Sequence, residues 1–85
     1  MIENRRSLRT KFESRVRIEH PELGSAIFRT RDVSDGGIYV LNGQIVLSVG
    51  DTVTVQIQDI PISAPIVTMR VVRTDSDGYG LEFVG

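Results

Sequence analysis

The sequence predicts an all-β fold: a six-stranded antiparallel β-barrel behind a basic N-terminal arm. Three observations carry this. Apolar and polar residues alternate with period two in several segments, the mark of strands with one buried face. Turn signals built on Gly, Pro, Asn and Asp separate those segments at the roughly 8–12-residue spacing of sandwiches and barrels. After residue 14 no segment shows a helical period. Closing so small an antiparallel sheet into a barrel removes its exposed edges.

Taken in order, residues 3–13 are the one stretch without a strand pattern. Leu8 and Phe12 are four apart, as are Arg5 and Arg9, so one helical turn or an irregular arm is expected over 1–13. The barrel is expected over 14–85. Val16 and Ile18 alternate with Arg15, Arg17 and Glu19 in the first strand. His20-Pro21-Glu22-Leu23-Gly24 is a turn, and Ser25 to Arg31 resumes extended structure. Asp32 to Gly37 reads as a polar, glycine-rich turn. Ile38 to Leu41 is a short apolar strand closed by Asn42-Gly43, a strong turn signal.

Val49-Gly50-Asp51 turns the chain again. Val53, Val55 and Ile57 then alternate with Thr52, Thr54 and Gln56. Pro61 and Pro65 bracket a loop or an edge segment. Ile66 to Thr74 is β-branched and reads as a long strand, and Asp75-Ser76-Asp77-Gly78 as a hairpin turn. Tyr79, Leu81 and Phe83 alternate with Gly80, Glu82 and Val84 in the last strand. The expected core is Val16, Ile18, Val53, Val55, Ile57, Leu81 and Phe83.

The 85 residues fit one domain. An apolar fraction of 40% suffices for a core. No apolar run approaches the roughly 20 residues of a membrane span. The basic start lacks the apolar stretch of a signal peptide. With no cysteine for stapling, a cytoplasmic protein is expected.

Net charge is −1 but lopsided. Residues 1–31 hold eight of the ten basic residues and four acids; residues 32–85 hold Arg70 and Arg73 against seven acids. Long nucleic acid needs a broadly basic face, so it is not an expected partner. A local basic segment suits one small anion.

Catalytic sets are missing. The one histidine, His20, sits in a turn and is expected to be exposed. It has no companion for a triad or metal site. The serines lack a nucleophile-elbow pattern. Neither an enzyme nor a metal protein is expected.

Two short motifs remain. Arg5-Arg6-Ser7-Leu8-Arg9 contains Arg-x-x-x-Arg, and Asp32-Val33-Ser34-Asp35-Gly36-Gly37 reads Asp-x-Ser-x-x-Gly. Either alone has a plain explanation, a solvated tail or a turn. In order, 22 residues apart with one hairpin between them, they resemble the PilZ family. The run Gly36-Gly37-Ile38-Tyr39-Val40 and the ending Gly78-Tyr79-Gly80-Leu81-Glu82-Phe83 look like that family too.

The resemblance implies a non-enzymatic receptor for cyclic di-GMP, without a cofactor. It places Arg5 and Arg9 on the ligand, Asp32 on the guanine N1–H and amine, Ser34 on phosphate or base, and Gly36 and Gly37 at a close backbone approach. Arg6 lies beside the pair and can reach phosphate. The residue types suit these roles. Arginine stacks on a purine, forks to O6 and N7 and neutralises phosphate, whereas lysine does only the last. Glycine lets N–H groups face an anion, with unusual φ values if needed. Arg31 is balanced between ligand and carboxylate; Arg70 and Arg73 read as strand decoration. The resemblance also implies that Asn4, before the first arginine, favours one ligand per chain.

The resemblance also implies a downstream protein partner in bacterial motility, polysaccharide or virulence control. Many relatives continue into a C-terminal helix. Here the last expected strand runs to the final residues, so a self-association surface, and with it a homodimer, is one expectation. Two rivals stand beside this reading. One is a ligand-independent adaptor, which the arginines disfavour. The other is a barrel for single-stranded nucleic acid, which needs aromatic platforms that five aromatic residues scarcely supply.

Overall fold

The computed structural model describes residues 10–84. Their strands are β1 (Thr10–Lys11), β2 (Arg15–His20), β3 (Gly24–Ser34), β4 (Gly37–Leu41), β5 (Thr52–Ile57), β6 (Val67–Thr74) and β7 (Gly78–Phe83). Six of them close on themselves. β3 pairs with β2, β2 with β5, β5 with β6, β6 with β7 and β7 with β4, and β4 returns to β3. Every pairing is antiparallel. The short β1 is added beside β3.

Period-two patterning builds this barrel. Val16 and Ile18 of β2 and Val53 and Val55 of β5 point inward and are buried, while Arg15, Arg17 and Glu19 point outward. Phe28, Met69, Val71 and Leu81 complete the interior with Val40 and Tyr79. Phe28 and Tyr79 meet edge to face, with centroids 6.3 Å apart. Each such side chain contributes about 1.5–3 kcal/mol by leaving water.

The two barrel ends differ. The loop over residues 42–51 plugs one end, with Leu47 in the core and its N–H donated to the Tyr79 hydroxyl at 3.2 Å. Gly43 lies under the Phe28 ring, where a Cβ would stand 2.7 Å from a ring carbon. The other end opens on an apolar cavity of about 250 Å³, rimmed by Phe12, Val33, Ile38, Ala64 and Phe83. The loop over residues 58–66 flanks it. Asp59 anchors that loop by accepting from the Arg15 N–H at 2.7 Å and the Arg15 Nε at 2.9 Å.

Several expectations are corrected. Thr10 and Lys11, assigned to the arm, form a strand, because their backbone groups find Val33 and Asp32 on β3. Asp32 to Ser34 are not turn but the end of β3, so the turn narrows to Asp35-Gly36. Asn42-Gly43 closes β4 as expected but leads into the long plugging loop, since β4 pairs with β3 and β7. Phe83 has the inward phase but sits at the open rim, 48% exposed.

His20 is not an exposed turn residue: its side chain is 8% exposed. Its Nε2 meets Asp51 Oδ2 at 3.0 Å. Its Nδ1 accepts the Glu22 and Leu23 N–H groups at 3.0 and 3.1 Å. That assigns the proton to Nε2. Gly24, at φ +88°, closes the same turn in the left-handed region that glycine favours.

Candidate functional site

The corner between β3 and β4 is built by register. Ser34 pairs with Gly37, Val33 with Ile38 and Asp32 with Tyr39. Directly paired residues project to the same face of a sheet. Ile38 packs against the core and Val40 belongs to it. Gly37 and Tyr39 therefore face outward, with Ser34 and Asp32 beside them. The row continues across β7 and β6, where Glu82 and Gly80 pair with Gly37 and Tyr39, and Arg70 and Arg73 pair with Glu82 and Gly80.

Two register shifts shape this wall. Thr30 pairs with Val40 and Asp32 with Tyr39, so Arg31 is the extra residue of a bulge on β3. On β6 a second shift falls between Val71 and Arg73. Bulges re-aim side chains at barrel rims. Here the first lays the Arg31 guanidinium over the Tyr39 ring, 3.8 Å from its centroid. Arg73 approaches the same ring at 5.5 Å. Tyr39 is fully buried although it faces outward. These two arginines cover it.

Polar contacts fix the arrangement. Arg31 Nε donates to Asp32 Oδ2 at 3.0 Å, and Asp32 is buried with 9% exposure. That bond raises the Arg31 pKa still further. The Tyr39 hydroxyl donates to Asp75 Oδ1, which also accepts from the Asp77 and Gly78 N–H groups at 2.9 and 3.1 Å. Burial, reinforced by the Asp75 carboxylate, pushes the Tyr39 phenol up to about 12. The phenol in turn holds the Asp75 carboxyl below the usual carboxylate range.

Between these walls lies a groove of about 240 Å³, lined by Ser34, Gly36, Gly37, Arg73, Gly80 and Glu82. Three of its lining residues, Gly36, Gly37 and Gly80, are glycines. The two corner glycines do different work. A Cβ on Gly37 would stand 1.8 Å from the Leu81 carbonyl oxygen, whereas one on Gly36 would meet nothing within 4 Å. Neither corner glycine uses the φ freedom that glycine offers: among the described glycines only Gly24 and Gly50 have positive φ.

The structure thus brings Asp32, Ser34, Gly36 and Gly37 to one corner. Arg5, Arg6 and Arg9 lie outside the described residues. Sequence reasoning left Arg31 open, read Arg73 as strand decoration and gave Tyr39 no role of its own. A usable signal was present. Ile38 and Val40 claim the inner phase of β4, which sends Tyr39 outward onto a wall carrying arginines. Among the described residues, no group of three or more His, Asp and Glu could hold a metal ion. No helix among them is long and apolar enough to cross a membrane.

The family model of the PilZ domain matches residues 3–85. No match was found among curated proteins.

Proposed function

The chain belongs to the PilZ domain family, and from that premise we propose that it is a non-enzymatic receptor for cyclic di-GMP. The observation that carries this reading is the register of β1. Thr10 pairs with Val33 and Lys11 with Asp32, antiparallel. β1 therefore begins toward the Ser34 end of β3, beside the Asp32–Gly37 corner. Arg9 is one Cα step, about 3.8 Å, from Thr10, and Arg5 is at most roughly 18 Å away. In this reading those spans bring both arginines to the groove.

In this reading Asp32 accepts from the guanine N1–H and amine, and Ser34 donates to phosphate. Gly36 leaves its edge open for the ligand to approach. Arg5 and Arg9 close over the bound ligand, stacking on guanine and neutralising phosphate. Arg6 adds a second phosphate contact. Each stacked arginine contributes about 1–3 kcal/mol. Ligand binding orders the arm against the corner and changes the surface offered to a downstream protein, which makes the domain a switch.

The test is calorimetric titration with cyclic di-GMP of the wild type beside the Arg5→Ala, Arg9→Ala double variant. Saturable binding is expected in the wild type. The double variant should bind roughly a thousandfold more weakly, at ~1.4 kcal/mol per decade. Absence of saturable heat in the wild type at high micromolar ligand sinks the proposal.

A further inference from the structure

We propose that Arg31, laid flat on Tyr39, forms a stacking subsite for a purine base of the ligand; this rests on the cyclic di-GMP reading above. Arg31 does not belong to either sequence motif. A guanidinium carbon 3.8 Å above a ring centroid is in face-to-face contact, so one face of the cation is spent on Tyr39. The side chain is nonetheless 46% exposed. The opposite face is therefore open on the outer wall of the barrel. Nε is bound to Asp32, and among the described residues the two Nη groups have no hydrogen-bond partner.

The shelf is held from several sides. Asp32 ties down its cationic edge, and Asp75 ties the phenol beneath through the Tyr39 hydroxyl. Arg73 covers the rest of the ring. The bulge places Arg31 on this wall, beside the Ser34–Gly37 corner. A planar group already fixed in its bound orientation loses little freedom when a ligand arrives. A flat, delocalised cation with one free face suits an electron-rich aromatic ring, and a purine matches it in size and shape. The stack is then Tyr39, Arg31 and base, with the Asp32 carboxylate at the edge of the middle layer.

Phosphate attraction uses charge alone, and stacking uses the plane. Lysine keeps the first and loses the second. The experiment is cyclic di-GMP titration of the wild type, the Arg5→Ala, Arg9→Ala variant, Arg31→Ala and Arg31→Lys, with melting curves to confirm that each is folded. Arg31 is exposed, so its variants should fold. The expected result is that Arg31→Lys and Arg31→Ala weaken binding about equally, by roughly five- to a hundredfold. If Arg31→Lys binds like the wild type while Arg31→Ala does not, Arg31 serves phosphate and the subsite is overturned. If both bind like the wild type while the Arg5, Arg9 variant fails, the subsite is again overturned and the receptor reading stands. If the wild type itself does not bind, both fall.

Discussion

Single residues at the β3–β4 corner separate folding from ligand binding. Gly37 is required by packing, because a Cβ there would be driven into the Leu81 carbonyl at 1.8 Å. The backbone must move, and Gly37→Ala should lose about 1–3 kcal/mol of stability in urea unfolding. Gly36 has no such neighbour, and its φ is not positive. Alanine there restricts the unfolded chain, so stability should hold or rise by up to ~1 kcal/mol. Yet Gly36 lines the groove, and its new methyl would stand where the ligand approaches. Gly36→Ala should therefore melt no lower than the wild type and bind cyclic di-GMP about tenfold more weakly. Unchanged affinity would remove Gly36 from the site. His20 shows where such local reading fails. The sequence around it announces a turn, and a turn is there, but Asp51 comes from another loop 31 residues on. No local pattern carries that pairing.

Strands were largely legible, because alternation depends only on neighbours one and two residues away. β2, β5 and β6 begin and end within about two residues of expectation. The failures lie where a second strand decides. β1 exists because β3 is long enough to offer Val33 and Asp32 as partners. The bulge at Arg31 is a relation between β3 and β4, so neither strand's sequence displays it. Asp32, Ser34, Gly36 and Gly37, which the fold gathers at one corner, were legible as a compact motif. The Tyr39 platform was not, because it joins β3, β4 and the β6–β7 hairpin through Arg31, Arg73 and Asp75. That platform has a pH signature. Tyr39 keeps its proton in the fold up to about 12, above the ordinary phenol value of 10.0. Its contribution is thus complete below the unfolded value and fades as pH rises through the folded one. Melting temperature should fall between pH 10 and about 12. Tyr39→Phe should be less stable at neutral pH and show a shallower alkaline limb. An unchanged limb would assign it to other groups.

At the scale of the whole barrel, three aspartates each clamp a different closure. Asp51 binds the plugging loop to His20 and accepts the Ser48 N–H at 2.9 Å. Asp59 binds the loop over residues 58–66 to Arg15. Asp75 closes the β6–β7 hairpin over Tyr39. All three carboxyls are held below the ordinary 3.8, first by the Ser48 N–H for Asp51, the Arg15 N–H for Asp59 and the Tyr39 phenol for Asp75. A carboxyl depressed in the fold stabilises it at any pH above its unfolded value, and that contribution is lost as pH falls through the folded value. All three losses fall on the acid side of the ordinary 3.8. Acid should therefore loosen both barrel ends and the hairpin. Melting temperature is expected to be nearly flat from pH 7 down to about 5 and to fall steeply below 3.8. Asp59→Asn keeps the shape and removes the charge. It should melt lower at pH 7 and show a shallower acid limb than the wild type. If the two proteins lose stability in parallel on acidification, the Asp59 clamp is not part of what acid undoes.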